Sequence, residues 1–293
     1  MPKLDRVVFC VATGKQRYGE MAIGLGRTLS LIGDMTPRAI VTDIPGIDWN
    51  RYFDQVFEPK STRSALDKLF AFDYLDADCV YALDVDCLAF KRLDAVFEYC
   101  HGMPFAVQGE WQTEGKWHGA GVSDVLAKHG FERLPKFNGG ALYYEQSDAF
   151  VKLLGEMKSV EQNYADTGFG DFRGGASEEV CVALAMMRTG IGEVIPDETN
   201  FMNTGSGIIG RLHMDVRSNT CRFLSRKSHV RYVEPYVFHA SEYSNFAVYW
   251  RQLAYLRQLE RYEDRTKPGY RSRWFRLRRS IERRYLKAKG DLS

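Results

Sequence analysis

Three short apolar runs alternate with helix-patterned segments in the first 90 residues, and this alternation most narrows what the chain can become. Val7-Val8-Phe9-Cys10-Val11-Ala12 is long enough for a buried strand, and Met21 to Ile32 has helical spacing ending at Gly33. Pro37-Arg38-Ala39-Ile40-Val41-Thr42 reads as a second strand, closed by Asp43, and Ser64 to Tyr74 reads as a second helix. The third run is Cys79-Val80-Tyr81-Ala82-Leu83. Strands repeatedly separated by helices give an α/β fold with a parallel sheet. Such sheets place their ligands beyond the carboxyl ends of the strands.

The third run ends in Asp84-Val85-Asp86. Residues two apart on an extended strand point the same way, so both carboxylates are expected on one side. Two like charges about 6 Å apart at an effective dielectric near 20 repel by roughly 3 kcal/mol. A divalent cation removes that cost, and oxygen ligands suit Mg²⁺ or Mn²⁺, which also bind substrate phosphates. The chain carries its own control in Asp76-Ala77-Asp78, which lies before the apolar run, in what reads as a polar turn. Position therefore favours a metal at the second copy only.

Beyond residue 90 the pattern is less regular. Phe105 to Gln108 reads as a strand, Trp111 to Gly121 as a Gly- and Trp-rich loop, and Ala141 to Tyr144 as a strand preceded by Phe137-Asn138-Gly139-Gly140. A helix is expected around Asp148–Met157, a glycine-rich loop over 162–176, and a helix from about Glu178 to Arg188. Late strand pieces fall at Tyr232-Val233 and Tyr236-Val237-Phe238, with His239 closing the second, and two C-terminal helices start near Asn245 and Tyr270.

At 293 residues, 45% hydrophobic and 27% charged, the chain suits one large globular unit. No run of about 18 apolar residues appears, so no span is expected, and Met1 to Arg6 leads into a strand with no secretory core. The six cysteines show no zinc spacing and lie largely in apolar stretches, which suits reduced thiols and a cytoplasmic location. The net charge of +2 is unevenly spread: residues 267–293 carry ten Lys and Arg against Glu282 and Asp291, leaving the body at −6. In that tail Trp274, Leu277, Ile281 and Tyr285 share one helical face, with Arg276, Arg279, Arg283 and Lys287 opposite. A basic amphipathic helix suits an anionic membrane surface, as a peripheral contact at the inner face, or packs on the body with its basic face in water. The acidic body argues against nucleic acid.

Strand-end Asp84-Val85-Asp86, then Asn138-Gly139-Gly140, then Glu178-Glu179 opening a helix, then His239 ending a strand form an ordered set. In that order they resemble the GT-A-fold glycosyltransferases, most closely the family 8 type, over roughly residues 7–242. The resemblance implies a Rossmann-like single domain with a mixed central sheet and C-terminal helices. Its nucleotide-binding half would span about 1–90, its acceptor and metal half about 91–245, and the helices 246–293. It implies transfer of a sugar from a nucleoside-diphosphate donor, usually a UDP-sugar, to a glycan or lipid-linked acceptor.

The same resemblance implies roles. Mn²⁺ or Mg²⁺ would sit on Asp84, Asp86 and His239, with Asp84 also orienting the ribose or donor sugar and Lys68 facing the donor. Ala12, Thr13 and Gly14 match the nucleoside cradle, Tyr18 could stack on the base, and Asp43 could accept from it. Asn138, Gly139 and Gly140 would form the sugar pocket, with Glu178 and Glu179 against the donor sugar and the acceptor hydroxyl. Several of these residues have structural alternatives. A tight turn would use Asn-Gly, Asp43 could be a turn aspartate, and His239 could be a strand-end histidine. Acids in a helix's first turn behind Ser177 as N-cap are favoured without any chemistry.

The chain also departs from the family pattern. His239-Ala240-Ser241 lacks the Gly and Lys that usually follow the histidine, and Ser177-Glu178-Glu179 stands where Asp-Gln-Asp is common. Arg211, Arg217, Arg222, Arg226 and Lys227 are candidate replacements for the missing cation. A binding protein for sugar nucleotides or glycans is the rival of another class. A haloacid-dehalogenase-like phosphatase ranks behind both, because Leu88 stands where its motif needs Thr.

Overall fold

The computed structural model describes residues 3–60, 64–172, 174–206, 208–225, 231–241 and 247–266. The second C-terminal helix and its basic face, and the cations Arg226 and Lys227, lie outside the described residues.

Strand β1 (Leu4–Ala12) leads into α1 (Gln16–Leu31), then β2 (Arg38–Thr42) and β3 (Gln55–Phe57). The expected helix over Ser64–Tyr74 is instead two separate 3-10 turns, Asp67–Leu69 and Ala71–Asp73. Phe70, between them, has ψ of 26°, which breaks the helical repeat. β4 (Ala77–Leu83) and β5 (Cys87–Ala89) follow, then α2 (Asp94–Cys100), β6 (Phe105–Gln112), the small hairpin β7 (Lys116–Trp117) and β8 (Ala120–Gly121), and α3 (Val122–His129). β9 (Leu134–Glu145), α4 (Asp148–Gln162), α5 (Glu178–Thr189), β10 (Glu193–Pro196) and β11 (Met202–Thr204) come next. β12 (Ile208–Asp215), β13 (Thr220–Ser225), β14 (Arg231–Val233), β15 (Val237–His239) and α6 (Ala247–Thr266) complete the order.

The central sheet runs β10-β6-β9-β4-β1-β2-β3. β1, β2, β3 and β4 are mutually parallel, while β9 is antiparallel to both β4 and β6. The sheet is therefore mixed. Pleating divides β1 between two cores. Val8, Cys10 and Ala12 face α1, α2 and α6, whereas Val7 and Phe9 face α4 and α5. Tyr249, Leu253 and Leu256 of α6 are buried in the first of these cores, and Arg27 of α1 pairs with Glu263 at 2.8 Å. Two three-stranded sheets, β11-β15-β5 and β12-β13-β14, complete the α1 side. Of the second, the expected strand piece Tyr232-Val233 lies in β14, whereas β12 and β13, with mixed burial, carry no continuous apolar run.

Candidate active site

β4 stops at Leu83, so Asp84-Val85-Asp86 is a turn and not strand. The carboxylates converge for a different reason than alternation. The Asp84 N–H donates to Gly140 O at 2.9 Å, and the Cys87 N–H returns to Asp84 O at 3.0 Å, which curls the segment over the sheet edge. β5 then pairs antiparallel with β15, placing His239 opposite Cys87, and the Ala240 N–H donates to Asp86 O at 3.0 Å. His239 Nε2 lies 3.1 Å from Asp86 Oδ1 and 3.4 Å from Asp84 Oδ2.

Asn138, Gly139 and Gly140 were expected ahead of a strand, but they lie inside β9. The β6–β9 register pairs Val107 with Leu142 and then Gly109 with Phe137, so three residues bulge out of that ladder. They are the Asn-Gly-Gly segment. Such bulges re-aim side chains at strand edges. Asn138 Oδ1 accepts the Gly140 N–H at 3.0 Å and sits 2.6 Å from His239 Nδ1. An amide oxygen only accepts, so Nδ1 carries the proton and Nε2 is left facing the two acids. That arrangement fits a cation: a histidine ligand whose other nitrogen is held by a hydrogen bond. The ligand atoms of Asp84, Asp86 and His239 all lie within 4.8 Å of one another. Burial opposes charge on His239, yet Asp86 and Asp84 outweigh it and raise its pKa, so this spot attracts positive charge.

Lys68 is buried behind the same wall, its ammonium 2.6 Å from Asp84 Oδ1 and 3.1 Å from Glu178 Oε2, and it donates to Gly139 O. Burial would lower its pKa, but Asp84 and Glu178 raise it, and Lys68 stays charged. Glu178 is the acid that yields. Burial first, then Asp84, push its pKa up to about 8 against the pull of Lys68. Its Oε1 is buried with no hydrogen-bond partner. Glu179 is held on both oxygens, by the Gly139 N–H at 2.8 Å and by His118 Nε2 at 2.7 Å. Ser177 does not cap α5 with its side chain; its hydroxyl lies 3.4 Å from His118 Nε2.

These groups surround a cavity of about 600 Å³, lined among others by Thr13, Tyr18, Asp84, Asp86, Gly139 and His239. Asp43 lines a neighbouring cavity of about 530 Å³, which shares Val11 and Thr13 with the first. Gly14, at φ 82°, ties the two sides together by donating its N–H to Asp43 Oδ1 at 2.6 Å. The Ala12 side chain turns into the core and is 1% exposed. A cleft of about 410 Å³ adjoins on the other side and shares Asn138, Glu179 and Ser241.

Of the cations expected to replace the missing lysine, three fall on described residues. Arg217 is bound to Asp215 and Arg222 to Glu234, and neither these nor Arg211 lines the 600 Å³ cavity. Lys15 and Arg17 do. Lys15 is the N-cap residue of α1, with no side-chain cap and no acid in the first turn, so the positive end of the helix dipole opens on this wall. A strand-to-helix step followed by Lys and Arg was the available signal. The reach of His118 to Glu179 had no signal beyond its Trp- and Gly-rich loop.

No protein-family model and no curated protein sequence matches the chain. Among solved structures it is similar to LgtC, a galactosyltransferase determined with donor and acceptor sugar analogs, at 13% identity over 85% of this chain and 94% of that one, TM-score 0.56. An active-site mutant of LgtC matches at 12% identity over 86% and 95% of the two chains, TM-score 0.53. With its mixed seven-stranded sheet and acid cluster at the strand ends, the chain has the GT-A glycosyltransferase fold.

Proposed function

We propose that the protein is a metal-dependent glycosyltransferase that moves a sugar from a nucleoside-diphosphate donor, a UDP-sugar first among candidates, to a glycan acceptor. One observation carries the reading: Asp84, Asp86 and His239 meet within 4.8 Å beside a cavity of about 600 Å³ whose wall also holds Lys15, Arg17 and the α1 N-terminus. Carboxylates and neutral imidazole suit Mn²⁺ or Mg²⁺, which when bound would offset the charge growing on the departing diphosphate. Lys15, Arg17 and the helix N–H groups would bind that diphosphate, replacing the lysine absent after His239. The nucleoside would lie toward Thr13, Tyr18 and Asp43, with Gly14 held in place by Asp43.

In this reading Asn138 is a positioning residue, fixing the His239 tautomer. Lys68 keeps Asp84 oriented. Glu178, protonated up to about pH 8, lines the wall that the donor sugar would face, and Glu179 faces the boundary with the 410 Å³ cleft, where an acceptor would enter. A lipid-linked acceptor and docking of the basic 267–293 segment on an anionic membrane extend the proposal, and sedimentation with anionic liposomes at low salt tests them. The described residues include no helix long and apolar enough to cross a membrane. The central test is donor hydrolysis and UDP binding with and without Mn²⁺. Nucleotide binding with no turnover on any donor would favour a binding protein; absence of both would end the reading.

A further inference from the structure

β7 and β8 pair Lys116 with Gly121 and Trp117 with Ala120, so His118 and Gly119 are the whole of a two-residue turn. Their φ values are 41° and 78°. Two-residue hairpins with positive φ at both positions prefer Asn-Gly, because asparagine tolerates this region and most side chains do not. Among the described residues the other non-glycines at positive φ are indeed asparagines, Asn200 and Asn219. Here a histidine takes the asparagine's place.

The surroundings hold that ring in one place. The His118 carbonyl accepts the Gly170 N–H at 2.9 Å, Phe172 packs edge-on against the imidazole at 5.6 Å, and Trp117 beside it packs on Phe169 at 5.7 Å. Nε2 is thereby delivered to Glu179 Oε2 at 2.7 Å, on a largely buried pair. With Gly139 N–H on the other oxygen, Glu179 is clamped at the boundary between the 600 Å³ cavity and the 410 Å³ cleft, both of which it lines.

We propose that His118 is a positioning residue for sugar transfer: the strained turn exists to hold the Glu179 carboxylate in register with the acceptor hydroxyl. The inference rests on the glycosyltransferase reading above. Each Glu179 oxygen spends one lone pair on its clamp and keeps another for a hydroxyl, so the clamp sets direction without blocking the group.

His118→Asn separates this role from a structural one. Asparagine suits the turn, and its amide ends well short of Glu179. The expected result is a Tm equal to or above wild type, donor KM and UDP affinity with Mn²⁺ within twofold, and kcat for transfer reduced at least tenfold. A second arm places His118→Asn in a Glu179→Gln background, where it should have no further effect on kcat. A His118→Asn variant with wild-type kcat, or full additivity in the double variant, overturns this inference alone. A wild-type protein that binds no UDP with Mn²⁺ overturns the functional reading, and this one with it.

Discussion

Gly140 lies directly beneath the imidazole of His239: a Cβ on Gly140 would stand 2.1 Å from Nδ1. The second glycine of the bulge is therefore required by the histidine's position and not by a turn. Gly140→Ala should displace the ring from the acids and weaken Mn²⁺ binding by about 10–100-fold, the range associated with disturbing a ligand's support. Overpacking should also cost about 1–3 kcal/mol of stability. Calorimetric titration with Mn²⁺ in saturating UDP, beside thermal unfolding, reads both; unchanged Mn²⁺ affinity would detach His239 from the metal.

Asp86→Asn removes the carboxylate nearest His239 Nε2, at 3.1 Å, without changing side-chain size. Metal-dependent UDP binding should be lost while the far-UV CD spectrum and cooperative unfolding persist. A variant that binds UDP and Mn²⁺ as tightly as wild type would sink the central claim.

Glu178 predicts a pH signature. Its pKa rises from the ordinary 4.5 to about 8 on folding, so between those values the folded chain holds a proton that the unfolded chain has released. Stability from this group is therefore full below about pH 4.5 and falls as pH rises toward 8. Glu178→Gln removes the dependence, so its Tm should gain on wild type progressively from pH 5 to 8.5. A constant Tm difference across that range would show that Glu178 titrates normally.

Lys15 and Arg17 line the cavity on which the proposed diphosphate would sit. Arg17→Ala should weaken UDP binding several-fold at low salt, with a smaller effect at high salt, because exposed charges are screened. Equal UDP affinity in Arg17→Ala and wild type at low ionic strength would remove Arg17 from the diphosphate site.

The parallel half of the fold was legible because its strands are continuous apolar runs, and Asp84 and Asp86 were found because they close one of them. Strand alternation does not bring the two acids together; a turn pinned to Gly140 O does. Ser64–Tyr74 has the apolar spacing of a helix, but Tyr144 Oη donates to Lys68 O at 2.7 Å and the chain breaks at Phe70 into two turns, the first holding the buried Lys68. That tertiary contact has no local sign. The bulge in β9 was hidden for a related reason: Asn-Gly-Gly reads as a turn, and only the register of β6 reveals it as an insertion. The pairing of His118 with Glu179 has no local sign, because the two lie 61 residues apart.

The Asp84-Asp86-His239 cluster is stitched by three distant seams, the backbone hydrogen bonds from Asp84 to Gly140 and from Ala240 to Asp86 and the side-chain bond between His239 and Asn138, which span the chain from its first third to its last. A cation there would act as a clasp on the whole polypeptide. Loading would raise the free energy of global unfolding by RT ln(1 + [M]/Kd), so Mn²⁺ should protect remote segments such as β1 from protease as well as the loops around the ion. The relation also runs backwards: a substitution that loosens any of the three seams will register as lost metal affinity, however far it lies from the carboxylates.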